Sequence, residues 1–307
     1  MSRISTRPSL TRDLYAQGYS QTALRSLERN GEIVQVRRGA YAEPLHPELD
    51  DDASALAHRQ LIMATMPLIA QGGCVSHISA AVLHGLPTPP QAGPVHVTRS
   101  RQSGQGRRTK NIHVHAAPLP DADVELVDGI LTTTVSRTVV DAACMLPLAR
   151  GVALADAALR LSLTTPEALL RSIATVGRRV GIARARSVLA LADPRSESPG
   201  ESISRIGFMG AGIPLPDLQR ELFDSEGKVA RVDFIWDEFR LVGEFDGKIK
   251  YGRALDPNLP VQEVVYQEKL REDRIRELDL GVTRWTWPDL FSGAYLHRIQ
   301  RAIDRSR

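Results

Sequence analysis

Two apolar runs joined by a four-residue turn constrain this chain more than any other feature. Val229 to Trp236 alternates in character, Asp237-Glu238-Phe239-Arg240 turns the chain, and Leu241 to Asp246 runs back. A strand period of two puts Val232, Phe234 and Trp236 on one face, with Arg231, Asp233 and Ile235 on the other. In the return run the same period sets Glu244 beside Asp246, away from Phe245. A hairpin of this length brings Asp233 near them. Carboxylates held together repel one another unless a cation lies between them. Hard oxygen donors select Mg²⁺ or Mn²⁺ over zinc. Lys248 and Lys250 follow Gly247 at once, and a lysine there can steer a water or balance charge on a phosphate. These are the parts of metal-assisted phosphodiester hydrolysis. The other reading of the same acids is ordinary salt bridges with Arg231, Arg253 or Arg271.

The rest of the chain is long enough for more than this one domain. It has 307 residues, 42% hydrophobic and 24% charged, so the length favours two or three domains. No apolar run suits a bilayer, and Met1 to Arg7 lacks the apolar stretch of a signal peptide. Cys74 and Cys144 lie far apart in no metal-like spacing, which fits a reducing cytoplasm. The net charge of +3 is unevenly spread. Residues 1–45 carry 7 basic and 4 acidic groups, residues 46–190 carry 14 and 11, and residues 191–307 carry 18 and 21. The front of the chain can meet a polyanion by charge alone; the back needs local arrangement or a bound cation.

Residues 1–45 read as a winged helix-turn-helix. Leu10 to Gln17 is a short helix ended by Gly18. Ser20 caps a second helix that runs to Asn30, with Leu24 and Leu27 on its buried face. Ile33 to Val36 is a strand, Arg37-Arg38-Gly39 a basic turn, and Ala40 to Ala42 the return strand. Helix-turn-helix folds place the second helix in the major groove. Arg25 and Arg29 on that helix, with Arg37 and Arg38 in the wing, are the expected DNA contacts. The bland reading is a small helical cap with solvated arginines.

Residues 46–192 read as an α/β middle domain that opens on a charged linker and a helix from Ala53 to Met66. Val95 to Thr98 and Ile112 to His115 alternate as strands. Between them Arg99, Arg101, Arg107, Arg108 and Lys110 stand with two glycines and no acid. This is a basic loop: a solvated hairpin tip or a phosphate contact. Helices follow from Ser136 to Met145, from Ala149 to Leu163 and from Thr165. Seven of the eight histidines fall in this region. His77 and His84 lie two helical turns apart and His113 and His115 share a strand face. No cysteine or carboxylate completes a zinc set, so core or surface roles are expected of them.

Asp193 to Gly200 reads as a polar linker that opens a last domain, residues 193–307. Ser198-Pro199-Gly200-Glu201 has the pattern of a capping box with proline at the first helical position. Residues 263–280 read as helix capped by Gly281, with Lys269 and Asp273 one turn apart.

Asp233, Glu244 and the lysine that follows resemble the PD-(D/E)XK nuclease superfamily. Arg231-Val232-Asp233-Phe234, Gly243-Glu244-Phe245-Asp246-Gly247 and Lys250-Tyr251-Gly252 look like its very-short-patch-repair-like branch. Glu268 to Asp273 and Val282 to Trp287 extend the likeness over residues 196–292. It implies a restriction-endonuclease-like domain, a mixed sheet flanked by helices. It implies Asp233 and Glu244 as metal ligands and Glu201 as the helix acid, so Glu201 has two readings, ligand or cap. Asp246 stands where the strict motif has lysine, and the lysine's role would pass to Lys248, Lys250 or Lys269. The front resembles AbiEi-like antitoxin regulators of abortive-infection systems. The carriers are the winged-helix pattern, Ser76 to Ala81, and Ser136 to Asp141.

The sequence thus points to a three-part α/β protein that binds DNA and carries Mg²⁺- or Mn²⁺-dependent endonuclease chemistry on Asp233, Glu244 and Asp246. Glu201 and one of Lys248 or Lys269 would assist. The second reading is a transcriptional regulator or antitoxin, with a toxin protein as partner, whose nuclease fold does not cut. A third is a protein-interaction scaffold.

Overall fold

The computed structural model describes residues 5–45, 53–69, 72–89, 93–100, 106–247 and 261–306. The chain forms two compact units, one of residues 1–146 and 162–189, the other of residues 147–161 and 190–307.

The first unit opens with β1 (Ser9–Leu10), α1 (Thr11–Ala16), α2 (Gln21–Arg29), β2 (Val34–Arg37) and β3 (Ala40–Ala42). Helix α1 ends where Gly18 takes a positive φ of 92°. The Ser20 hydroxyl accepts the Ala23 amide and caps α2. Leu14, Leu24 and Ile33 are buried together under Tyr19, Leu27 and Tyr41. The three short strands form one sheet in the order β1-β3-β2. This front module is not a separate body. Helix α3 (Ala53–Thr65) ties to it: the Gln60 side-chain amide donates to the carbonyls of Thr6 and Glu43.

A six-stranded mixed sheet follows, built from β4 (Gly73–Val75), β5 (Val95–Arg99), β6 (Arg107–Arg108), β7 (Ile112–Ala116), β8 (Val124–Val127) and β9 (Ile130–Thr133). Its order is β6-β7-β5-β4-β9-β8. Strands β5 and β7 run parallel, so they are not the two arms of one hairpin. Its last part, β6, pairs antiparallel with β7 at the sheet edge. Helix α4 (His77–Leu83) is buried along its whole length, and α5 (Val135–Ala143) nearly so. Helices α6 (Leu148–Arg160), α7 (Pro166–Val176) and α8 (Ile182–Leu191) come next.

Helix α6 departs from the expected domain order. The sequence reading placed it in a middle domain ending at residue 192, yet it packs with the second unit, against α9 (Pro199–Gly210). The reason is electrostatic. Asp156 on α6 is 1% exposed, and a buried carboxylate needs partners. It pairs with Arg205 of α9 at 2.9 Å and accepts the Asp193 amide at 2.7 Å. The polar segment from 193 to 200 is therefore bound to α6 rather than being a loose linker.

The second unit continues with β10 (Asp217–Asp224), β11 (Gly227–Trp236), β12 (Leu241–Asp246), α10 (Val261–Glu277), β13 (Gly281–Thr286), α11 (Trp287–Ser292) and α12 (Ala294–Ser306). Its sheet order is β10-β11-β12-β13, antiparallel until β13 joins β12 in parallel. Phe208 of α9 packs with Phe234, Trp236, Trp285 and Tyr295 in one cluster. A second cluster joins Val232, Ile235 and Val242 to Ile275 of α10. Gly281, expected as a helix cap, is the first residue of β13. Helix α10 ends earlier, and Asp279 makes the left-handed turn with a φ of 63°. No helix of the described residues is long and apolar enough to cross a membrane.

Candidate functional site

The acidic hairpin forms as its alternation requires: Phe234 faces Gly243 and Trp236 faces Leu241 across β11 and β12. The Asp233 carboxylate reaches across and accepts the Phe245 amide at 2.9 Å. Helix α9 approaches closely because Gly200 has no side chain; a Cβ there would lie 1.9 Å from the Phe245 ring. That approach delivers Glu201, which is 5% exposed. The Gln219 side-chain amide of β10 donates to Glu201 at 2.9 Å and to Asp233 at 3.1 Å, bridging the two acids. The same Glu201 carboxylate accepts the Glu197 amide at 2.9 Å, while Ser198 caps α9. The Glu201 carboxylate thus closes the helix entry and, through Gln219, is linked to Asp233.

Burial first, then the neighbouring Glu201, push the Asp233 carboxyl up to about 7. The hydrogen bonds from Phe245 and Gln219 oppose this, and Glu244 adds to it. Glu244 sits differently. Arg271 of α10 bonds one of its oxygens, and Arg284 of β13 bonds the other at 2.8 Å. The parallel register places Glu244 directly beside Arg284. The salt-bridge reading therefore describes Glu244, and the crowded-carboxylate reading describes Asp233 with Glu201. Asp246 lies exposed at the end of β12. Lys269 is exposed on α10. Lys248 and Lys250 lie outside the described residues. Gln219 and Arg284 were not singled out from the sequence; the turn of Gln219 into a positive φ of 53° leaves no mark in its residue type.

The donor chemistry fits a hard cation at Asp233 and Glu201, where a half-buried and a buried carboxylate face one another and, among the described residues, no basic side chain pairs with Asp233. At Glu244 two guanidinium groups already supply the counter-charge.

The expected DNA contacts divide in the same way. Arg25 and Arg29 are exposed on α2, and Arg38 is exposed at the turn between β2 and β3. Arg37 is engaged within the fold: its guanidinium donates to the Ala64 carbonyl at 2.7 Å and to the Arg38 carbonyl at 2.6 Å. Arg107, Arg108 and Lys110 are exposed, Arg99 is half-buried at the end of β5, and Arg101 lies outside the described residues.

The two segments that carried the antitoxin resemblance meet in the first unit's polar core. Arg137 of α5, fully buried, pairs with Asp141 at 2.9 Å and Asp123 at 2.8 Å. Arg179 pairs with the other Asp141 oxygen at 2.5 Å and approaches His77 Nε2 at 3.4 Å. Around it gather histidines that the sequence reading left as core or surface residues. His77 stacks on His115 with ring centroids 3.8 Å apart, and His96 Nδ1 lies 2.9 Å from His115 Nε2. His113 adds a fourth ring 3.9 Å from His115. Their sequence separations hid this: α4, β5 and β7 come together only when the helix packs on the sheet. His84, expected near His77, turns away to the Thr133 carbonyl. Beside the cluster a cavity of about 500 Å³ is lined by Arg107, Arg108, His113, His115 and Arg179.

Residues 71–191 match the AbiEi antitoxin C-terminal domain family. Two curated relatives, the uncharacterized proteins MT2308 and Rv2248 of two Mycobacterium tuberculosis strains, are each 29% identical over 281 residues. The alignments cover 91% of this chain and 95% of each relative. Among solved structures, the RV2827C protein from Mycobacterium tuberculosis is similar with a TM-score of 0.38 and 16% identity, over 72% of this chain and 84% of that one.

Proposed function

We propose that this protein is a DNA-binding regulator of the antitoxin type, acting in a toxin–antitoxin or phage-defence system. The observation that carries the reading is the match of residues 71–191 to the AbiEi antitoxin C-terminal domain. A capped helix with exposed Arg25 and Arg29, beside a wing turn with exposed Arg38, precedes that domain. These groups supply phosphate contacts, which position a helix in a groove, while base edges give the sequence choice. A cognate toxin protein is the expected partner. The test is selection of bound duplexes from a random library, followed by a salt titration of the selected site. A specific site and a log–log salt slope of about −0.9 per phosphate contacted support the reading. Binding that is absent at low salt overturns it.

The crowded carboxylates favour a second reading for the C-terminal domain: metal-dependent cleavage of DNA, with a PD-(D/E)XK-like fold. Asp233 and Glu201 would hold Mg²⁺ or Mn²⁺, with Glu244 and Asp246 nearby and Lys248 or Lys269 as the lysine. A bound cation there supplies an activated water and neutralises a phosphoryl oxygen. The chain's own part is to keep Asp233 fixed by the Phe245 amide and Gln219, so that its oxygens are aimed before a cation arrives. Incubation with plasmid, single-stranded and mismatched DNA in Mg²⁺ or Mn²⁺, with Asp233→Ala as control, decides between cutting and binding alone.

A further inference from the structure

We propose that His77, His96 and His115 form a transition-metal site, zinc in the first place, with an open coordination position facing the arginine-lined cavity. The proposal is independent of DNA binding and of the acidic hairpin.

Among the described residues, these three side chains are the group whose ligating atoms all lie within 4.8 Å of one another. Imidazole nitrogens are ligands that zinc favours, at about 2.0–2.1 Å from the ion, and three protein ligands with an open fourth position is the pattern of sites that bind an exogenous ligand. His77 is fully buried and His96 is 3% exposed, so the cluster is enclosed on the core side. On the other side His113 and His115 line the cavity.

The surroundings set the tautomers as a ligand site requires. His77 Nδ1 lies 2.9 Å from the Ser76 hydroxyl, and its Nε2 faces the Arg179 guanidinium, which can only donate. The proton therefore sits on Nδ1, and the Nε2 lone pair is free of its own proton but faces Arg179, which must release it when a metal binds. A histidine whose second nitrogen donates to an oxygen is the usual outer-shell support of a metal ligand. Ser76 is held in turn by the Thr98 hydroxyl at 2.8 Å. The 2.9 Å contact between His96 and His115 places one ring nitrogen as acceptor and the other as donor. On binding, the donor moves its proton to its other ring nitrogen and offers a second lone pair.

The stack of His77 on His115, 18° from parallel, must open, because a metal lies in the plane of each ring that binds it. Rotation about χ2 of histidine is a soft torsion, and His115 has the cavity beside it. Arg179 does not bring an uncompensated charge, since Asp141 already pairs with it. The exposed Arg107 and Arg108 at the cavity rim favour hydroxide or a small anion as the fourth ligand.

The test uses the full chain, stripped with chelator and titrated with Co²⁺ as a spectroscopic stand-in for zinc. One equivalent should produce a visible absorption band that one equivalent of Zn²⁺ bleaches. His96→Gln and His115→Gln should each weaken binding by about 100-fold or more, the upper end of what loss of mere outer-shell support costs. His297→Gln, exposed on α12, and Asp233→Asn should retain the full band. His115 lines the cavity, so its variant keeps the test open if His96→Gln fails to fold. A wild-type protein that gives no band at millimolar Co²⁺, or a band that survives both cluster variants, overturns the proposal.

Discussion

Asp233→Asn is the substitution with the most decided outcome. The folded protein holds this carboxyl at about 7 against an ordinary value of 3.8. A displacement of that size corresponds to about 4 kcal/mol, at about 1.36 kcal/mol per tenfold change in proton affinity. The sign follows from which state binds the proton more tightly. The folded state does, so its stability is whole below pH 3.8 and is lost progressively as pH rises to about 7. Asparagine removes the ionisation and keeps one acceptor oxygen, at the loss of one hydrogen bond, worth about 1 kcal/mol. The variant should therefore be more stable than the wild type by about 3 kcal/mol at pH 8, and slightly less stable near pH 4. Urea unfolding followed by tryptophan fluorescence measures this cleanly. The chain has three tryptophans, and Trp236, Trp285 and Trp287 all lie in the C-terminal unit. Titrating groups that do not face Asp233 cancel in the difference between the two proteins. A difference that stays constant within about 0.5 kcal/mol from pH 4 to 8, a window in which about 4 kcal/mol should appear, would refute the reasoning. Millimolar Mn²⁺ should then raise the wild-type midpoint at pH 8 and leave the variant unchanged, because only an ionised Asp233 rewards a cation.

Three further outcomes follow from other parts of the structure. Arg38→Ala should lower the log–log salt slope of DNA binding by about 0.9 without changing the melting temperature, whereas Arg37→Ala should lower the melting temperature, since Arg37 anchors the wing to the Ala64 carbonyl; equal salt slopes for Arg38→Ala and wild type remove the wing from the interface. Arg137→Met should destabilise the first unit by about 3–5 kcal/mol, because it leaves the fully buried Asp141 with one cation fewer and strands Asp123; chemical unfolding followed by circular dichroism measures it. Gly200→Ala should cost about 1–3 kcal/mol by driving a methyl into the Phe245 ring, and should weaken any Mn²⁺-induced stabilisation as the Phe245 amide leaves Asp233; an unchanged fluorescence midpoint would show that α9 does not press on β12.

What the sequence settled by itself was local. Ser20 and Ser198 announce helix starts because a hydroxyl at that position satisfies an amide the helix leaves open, and both cap as read. The alternation of β11 and β12 set which residues share a face, and that Asp233 and Glu244 lie opposite each other in one hairpin; both faces turned out to be covered, so Phe234, Ile235 and Trp236 are all buried. Charge pairing over long separations was not legible. Arg284 reaches Glu244 because β13 joins β12 in parallel, and Gln219 links Asp233 to Glu201 only after β10, β11 and α9 have packed. Spacing likewise kept His77, His96 and His115 apart on paper: they lie on three different elements, and only the pairing of β5 with β7 and the packing of α4 on the sheet bring the rings into contact. Helix α6 left its sequence neighbours for the C-terminal unit, where its apolar face packs on α9 and Asp156 meets Arg205, a placement that depends on which surfaces meet.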